Sequence, residues 1–242
     1  MNIRPDGSSS VLRTRAAAPG RAGGGGVRNA AIGAVIACLV VLSLLGAGVW
    51  THFGPQLRLD TSVSTAWYAG DHRSAAMNAL LQVLCAPGLA VVRYVVAVPV
   101  LLLLIRLRVW WTVAWLSSVA FLISPLTTVA KALVGRVRPP FANGGALDAS
   151  PSFPSGHSSG IAASVVAALV LLWPVLSAAA RRLSLVIGGV LIVVVGFARM
   201  WLGVHYLSDV LAGWSLGIAW ALLTALVFGA FPGGRAALPA RK

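Results

Sequence analysis

The sequence predicts an all-α fold: a bundle of six transmembrane helices with a candidate site at the extracytoplasmic ends of spans three to six. Three observations predict it. Of 242 residues, 58% are hydrophobic and 10% charged, whereas soluble domains hold about 45–50% apolar and about 25% charged residues. The apolar residues gather into runs long enough to cross a bilayer, which takes about 20 residues. The polar residues that carry chemistry all fall at one set of helix ends.

Taken in order, no charge occurs between Arg28 and Arg58, and Ala30–Trp50 is the first expected span. Residues 1–28, rich in Arg, Ser, Ala and Gly, are expected to form a disordered cytoplasmic tail. The outer loop Thr51–Ser74 is too short for a separate domain, and Asp60, Trp67, Tyr68 and Arg73 are available from it as a lid or entrance. Ala75–Ala86 reads as an interfacial helix, broken by Pro87–Gly88 from the second span, Leu89–Ile105. Val109–Ala130, Ser158–Leu176, Leu183–Trp201 and Val210–Phe231 are the remaining spans. The membrane domain is thus placed at 29–232, with a cytoplasmic tail at 233–242. Gly213 and Gly217 make a small-xxx-small pair that predicts close helix packing.

Nineteen Lys and Arg face five Asp and Glu, a formal charge of +14. On a soluble protein this points to nucleic acid; its distribution points to a membrane. Arg4, Arg13, Arg15, Arg21, Arg28, Arg106, Arg108, Arg181, Arg182, Arg235, Arg241 and Lys242 lie on one side, 12 of the 19. The positive-inside rule places that side, and both termini, in the cytoplasm. No nucleic-acid partner is expected. Cys38 and Cys85 sit in apolar runs as small hydrophobes.

The other side carries Lys131, Arg136, Arg138, Asp148, His157, Arg199, His205 and Asp209. Singly, Lys131, Arg136 and Arg199 read equally as cations snorkelling at the interface. Asp148 reads as a solvated loop acid. His205 and Asp209, four apart, share a helix face. The convergence of four helix ends on one polar cluster is what loop solubility does not account for.

These residues form a pattern: K-A-L-V-G-R-V-R-P at Lys131–Pro139, P-S-G-H at Pro154–His157, and R-M-W-L-G-V-H-Y-L-S-D at Arg199–Asp209. The pattern resembles the three-part signature of the type 2 phosphatidic acid phosphatase superfamily, with Ala198 where that family often has Ser. The resemblance implies an integral membrane lipid phosphatase that forms a phosphohistidine. It implies His205 as nucleophile, Asp209 as its orienting carboxylate, and His157 as acid and then base. Lys131, Arg138, Ser155, Gly156 and Arg199 would bind the phosphate, the last two cations through charge-assisted pairs and Gly156 at a helix N-terminus. No cofactor or metal is implied. Substrates in reach of this reading are phosphatidic acid, phosphatidylglycerol phosphate and polyprenyl diphosphate. A lipid phosphotransferase or a non-enzymatic lipid transporter on the same fold are the rivals.

Overall fold

Eight α-helices make up a computed structural model that describes residues 22–239. They are α1 (Ala22–Trp50), α2 (Gly54–Trp67), α3 (Ala75–Cys85), α4 (Ala90–Arg106), α5 (Trp110–Val134), α6 (Gly156–Leu172), α7 (Ala178–Trp201) and α8 (Leu207–Phe228). Among the described residues there is no strand. Four helices, α1, α5, α7 and α8, are long and apolar enough to cross a membrane. The α3–α4 pair, bent by 43°, makes a fifth if it counts as one span. α6 is apolar but only 17 residues long, about 26 Å at 1.5 Å per residue.

The core lies between α4, α5, α6 and α8, around Trp115, Val119, Ile123, Ala163, Leu216 and Ala225. Val91, Val95, Leu103, Leu183, Val186 and Ile187 point outward and are exposed. That is the inside-out surface a hydrocarbon solvent allows. α8 is the central helix, flanked by α1 and α6. Its contact with α6 needs the glycines: a Cβ on Gly213 would lie 2.6 Å from the Ser155 carbonyl and 2.8 Å from Ser158 Cβ. On Gly217 it would lie 2.9 Å from Ala162 Cβ. The close packing expected of this pair is therefore present.

The helices depart from the expected spans in ways local chemistry explains. α1 reaches back to Ala22, so the tail residues from Ala22 to Arg28 are helical, while 1–21 lie outside the described residues. The segment after α1 is largely helix, not loop, because Pro55 starts α2 with its ring-fixed φ. α6 stops at Leu172 rather than Leu176, since Pro174 cannot continue it. α7 begins at Ala178, where Ser177 caps it through the Ala180 amide. α8 begins at Leu207, earlier than Val210, because the Asp209 carboxylate reaches back to accept from the Tyr206 amide at 2.9 Å. The residues after α8 fold back: Ala236 is buried, its carbonyl accepts from Thr112 Oγ1 at 3.0 Å, and Arg235 covers Trp111.

Candidate active site

The C-terminal ends of α5 and α7 meet the N-terminal ends of α6 and α8, and this places the site. Lys131 occupies the last turn of α5, which ends at Gly135 in the left-handed conformation, φ +63°. The lysine Nζ donates to the carbonyl of Pro151. The following loop carries Arg136 and Arg138 inward. Arg138 is 7% exposed. Its Nε and Nη2 donate to the carbonyl and hydroxyl of Ser150, and its Nη1 to the carbonyl of Val204 at 2.8 Å.

His205 sits in the turn between α7 and α8 and is 1% exposed. Its Nε2 faces Arg138 Nη1 at 3.3 Å. Arginine only donates, so Nε2 must be the acceptor and the ring proton belongs on Nδ1. Nδ1 lies 3.5 Å from Asp209 Oδ2, an ion-pairing distance short of a closed hydrogen bond. Burial is the largest influence on His205 and pushes it down to about 3. The Asp209 carboxylate pulls it upward, and the charges of Arg199 and Arg138 push it down. The imidazole is neutral.

Arg199, in the last turn of α7, is 9% exposed, and its buried Nε has no hydrogen-bond partner. A buried guanidinium N–H without an acceptor is costly and marks a place for an anion. Arg199, Arg138, Lys131 and His205 are all within electrostatic range of His157 in the first turn of α6. Arg199, Arg138, Lys131, His157, His205 and Asp209 thus lie in one cluster.

Ser155 and Gly156 differ in detail. Ser155 is fully buried and engaged within the protein: its amide donates to the Asp209 carbonyl at 2.9 Å, and its hydroxyl accepts from Ser158. It caps α6 and ties it to α8. Gly156 carries no steric demand from the protein, since a Cβ would meet only Thr127 Cγ2 at 3.8 Å. Gly156 and His157 line a cavity of about 300 Å³ together with Lys131. Their amides are the ones that α6 presents to a ligand.

Two carboxylates make ion pairs that the sequence did not indicate. Asp148 is solvent-exposed, as expected of a loop acid, and its Oδ2 also pairs with Arg138 Nη2 at 2.8 Å. Burial raises its pKa, but hydrogen bonds from Ser150 and the Arg138 charge outweigh that and hold it below the usual carboxylate range. Asp60, from α2, is 2% exposed and accepts from Arg136 Nη2, the Ser208 amide and the Ser208 hydroxyl. Arg136 Nη1 donates in turn to Asp209 Oδ1 at 2.7 Å, and its guanidinium lies 4.0 Å over the Tyr206 ring. Arg136 is thus a buried ion-pair centre and not a snorkelling cation. The one sequence signal for Asp60 was its isolation: it is the only carboxylate between Asp6 and Asp71. Tyr68 and Arg73 brace the site's loop: Tyr68 stacks on Phe141 at 4.0 Å and Arg73 donates to the Asn143 carbonyl. Trp67 stacks on Phe197 at 4.7 Å.

Helical fold and polar cluster together describe a membrane protein of several apolar helices with a cluster of cations and histidines among their ends. The sequence profile of the PAP2 superfamily matches residues 108–232, more than half of the chain, and the chain belongs to that superfamily. Phosphatidylglycerophosphatase B of Bacillus subtilis (strain 168) is 45% identical over 96 residues, 38% of this chain and 46% of that protein. Lipid A 1-phosphatase of Rhizobium johnstonii is 34% identical over 134 residues, 50% of each. The chain spans about half the length of these relatives. Among solved structures, the transmembrane PAP2 type phosphatidylglycerolphosphate phosphatase from Bacillus subtilis superposes with a TM-score of 0.65 at 26% identity. That likeness covers 78% of this chain and 93% of the other.

Proposed function

We propose that the protein is an integral membrane lipid phosphatase that hydrolyses a lipid phosphate or diphosphate through a phosphohistidine at His205. The observation that carries this reading is the orientation of one ring. A neutral, buried imidazole turns Nε2 toward Arg138 and Nδ1 toward Asp209. That is a nucleophile aimed at an anion site with its positive charge provided for.

In this scheme the phosphate enters among Lys131, Arg138 and Arg199 and the amides of Gly156 and His157. It takes the unpaired Nε of Arg199 and displaces Arg138 from Nε2. The Nε2 lone pair forms the N–P bond as the P–O bond of the ester breaks. His157, protonated once the bound phosphate offsets the surrounding cations, gives its proton to the departing oxygen. Water then attacks phosphorus while His157 takes its proton, the N–P bond breaks, and inorganic phosphate leaves with His205 restored. Asp209 stabilises the imidazolium that exists between the two steps. Arginine, lysine and helix amides spread over the phosphoryl oxygens supply the electrostatic stabilisation. Both Asp60 and Asp209 are committed to Arg136, and Asp148 to Arg138, so the scheme uses no divalent metal.

The chain is further read as crossing the membrane six times, with the bent pair as one span and α6 as another. The charge bias places both termini in the cytoplasm and the site outside. Phosphate release by the purified full chain, across lipid phosphates and with or without EDTA, tests the reading. Release that survives EDTA and vanishes in His205→Ala supports it. Release abolished by chelation and restored by magnesium contradicts the metal-free scheme.

A further inference from the structure

Arg93 is the buried cation that the scheme above does not use. It lies in the first turn of α4 and is 6% exposed. Its Nε donates to the Ala120 carbonyl at 2.8 Å and its Nη2 to Ser124 Oγ at 2.5 Å, both on α5. Among the described residues Nη1 has no hydrogen-bond acceptor, and it lies against α6, 2.6 Å from where a Cβ on Gly160 would be. Gly160 follows His157 by one turn of the same helix, about 4.5 Å along its axis. An arginine inside a membrane bundle faces a binding path far more often than lipid.

Two cavities meet at this side chain. The cavity of about 300 Å³ that holds Lys131, Gly156 and His157 is also lined by Arg93. A second, of about 330 Å³, is lined by Arg93, Val96, Leu116 and Leu171 and is almost wholly apolar. A third cavity, about 570 Å³, is lined by Arg136 and Tyr206 and by neither histidine of the site. A lipid with its scissile phosphate at His157 and its tail in the apolar cavity must pass its connecting group across Arg93. A guanidinium with a free N–H at that point recognises an oxyanion.

We propose that Arg93 binds a second phosphate of the substrate, placed between the scissile phosphate and the apolar tail. The site therefore selects lipids with two phosphates over lipids with one. This rests on the phosphatase reading and narrows its substrate class. The second phosphate is either bonded directly to the first, as in a prenyl diphosphate, or spaced from it by glycerol.

The test uses matched pairs with the purified full chain: farnesyl diphosphate against farnesyl phosphate, and phosphatidylglycerol phosphate against phosphatidic acid. A charge-assisted contact of this kind is worth about 10- to 100-fold. Arg93→Gln should lower kcat/KM for the two-phosphate member of one pair by that factor more than for its partner, through KM. Which pair responds tells the direct diphosphate from the glycerol-spaced one. Wild-type protein gives an independent reading, with KM at least about tenfold lower for the two-phosphate member of the responding pair. Equal wild-type KM values within both pairs, or equal losses within both pairs in Arg93→Gln, overturn the role of Arg93 and leave the phosphatase reading standing. Hydrolysis of none of the four lipids contradicts that reading itself, and the inference falls with it.

Discussion

Arg136 holds Asp209 in place from the side opposite His205: its Nη1 lies 2.7 Å from Asp209 Oδ1, while Asp209 Oδ2 faces the His205 ring. Its other nitrogen is held by Asp60, so α2 is linked to Asp209, beside His205, through two ion pairs. Removing one partner of a buried pair destabilises by about 3–5 kcal/mol, so conservative changes are the informative ones.

Arg136→Lys keeps the charge and loses the fork. It should lower kcat by about 10- to 100-fold with KM little changed, because Asp209 no longer orients the ring. Asp60→Asn should move kcat in the same direction by less. Steady-state kinetics beside melting curves decide between positioning and mere stability. A lower melting temperature with kcat intact would make the pair purely structural.

The α6–α8 contact couples packing to the site, since Gly213 faces the carbonyl of Ser155, which caps α6. Gly213→Ala must push the helices apart there and should destabilise by about 1–3 kcal/mol while lowering activity. Gly189 in α7 has nothing within 4 Å of its would-be Cβ. Gly189→Ala should be neutral or stabilising by about 0.5–1 kcal/mol. Thermal unfolding in detergent checks both, and equal shifts would contradict the packing account.

The three motifs and the helix ends that bear them were legible because each is local: spacing within ten or so residues puts a side chain on a known helix end. Asp60 was not. Its partners Arg136 and Ser208 are far away in sequence, and no spacing rule joins a lone carboxylate to them. Arg136 was visible, but a guanidinium near an interface reads the same whether it snorkels or is buried. Asp148 is an exposed loop acid as expected, but its pairing with Arg138 was not legible because it depends on how the loop folds. Helix bounds moved where caps or Pro174 overrode the apolar pattern, as at α6 and α8. At 17 residues α6 is shorter than the span expected there, and it packs against α8.

The buried state of His205 has a signature in stability. Its folded pKa is near 3, against 6.5 for an ordinary histidine. Between those values the unfolded chain binds a proton that the folded chain refuses, so stability falls as pH drops from about 6.5 toward 3. His205→Asn removes that term. Melting curves from pH 7 down to about 4.5 should show wild type losing more than the variant. Equal losses would mean that His205 is not held neutral.

Sidedness is open to chemical labelling. Ala149 is exposed in the loop between α5 and α6. Ala149→Cys, with Cys38 and Cys85 replaced, should react with a membrane-impermeant thiol reagent in intact cells. Labelling only after permeabilisation would invert the topology.

The central claim is that His205 is the nucleophile and His157 the acid, and an activated aryl phosphate separates them. Its leaving group needs little protonation, so loss of the acid matters less than for an alkyl ester. The quantity to measure is the burst of phenol released per enzyme on mixing. His157→Ala should give a burst followed by slow turnover, since it can still form the phosphoenzyme. His205→Ala should give none. A stoichiometric burst from His205→Ala with none from His157→Ala would exchange the two roles and contradict the account.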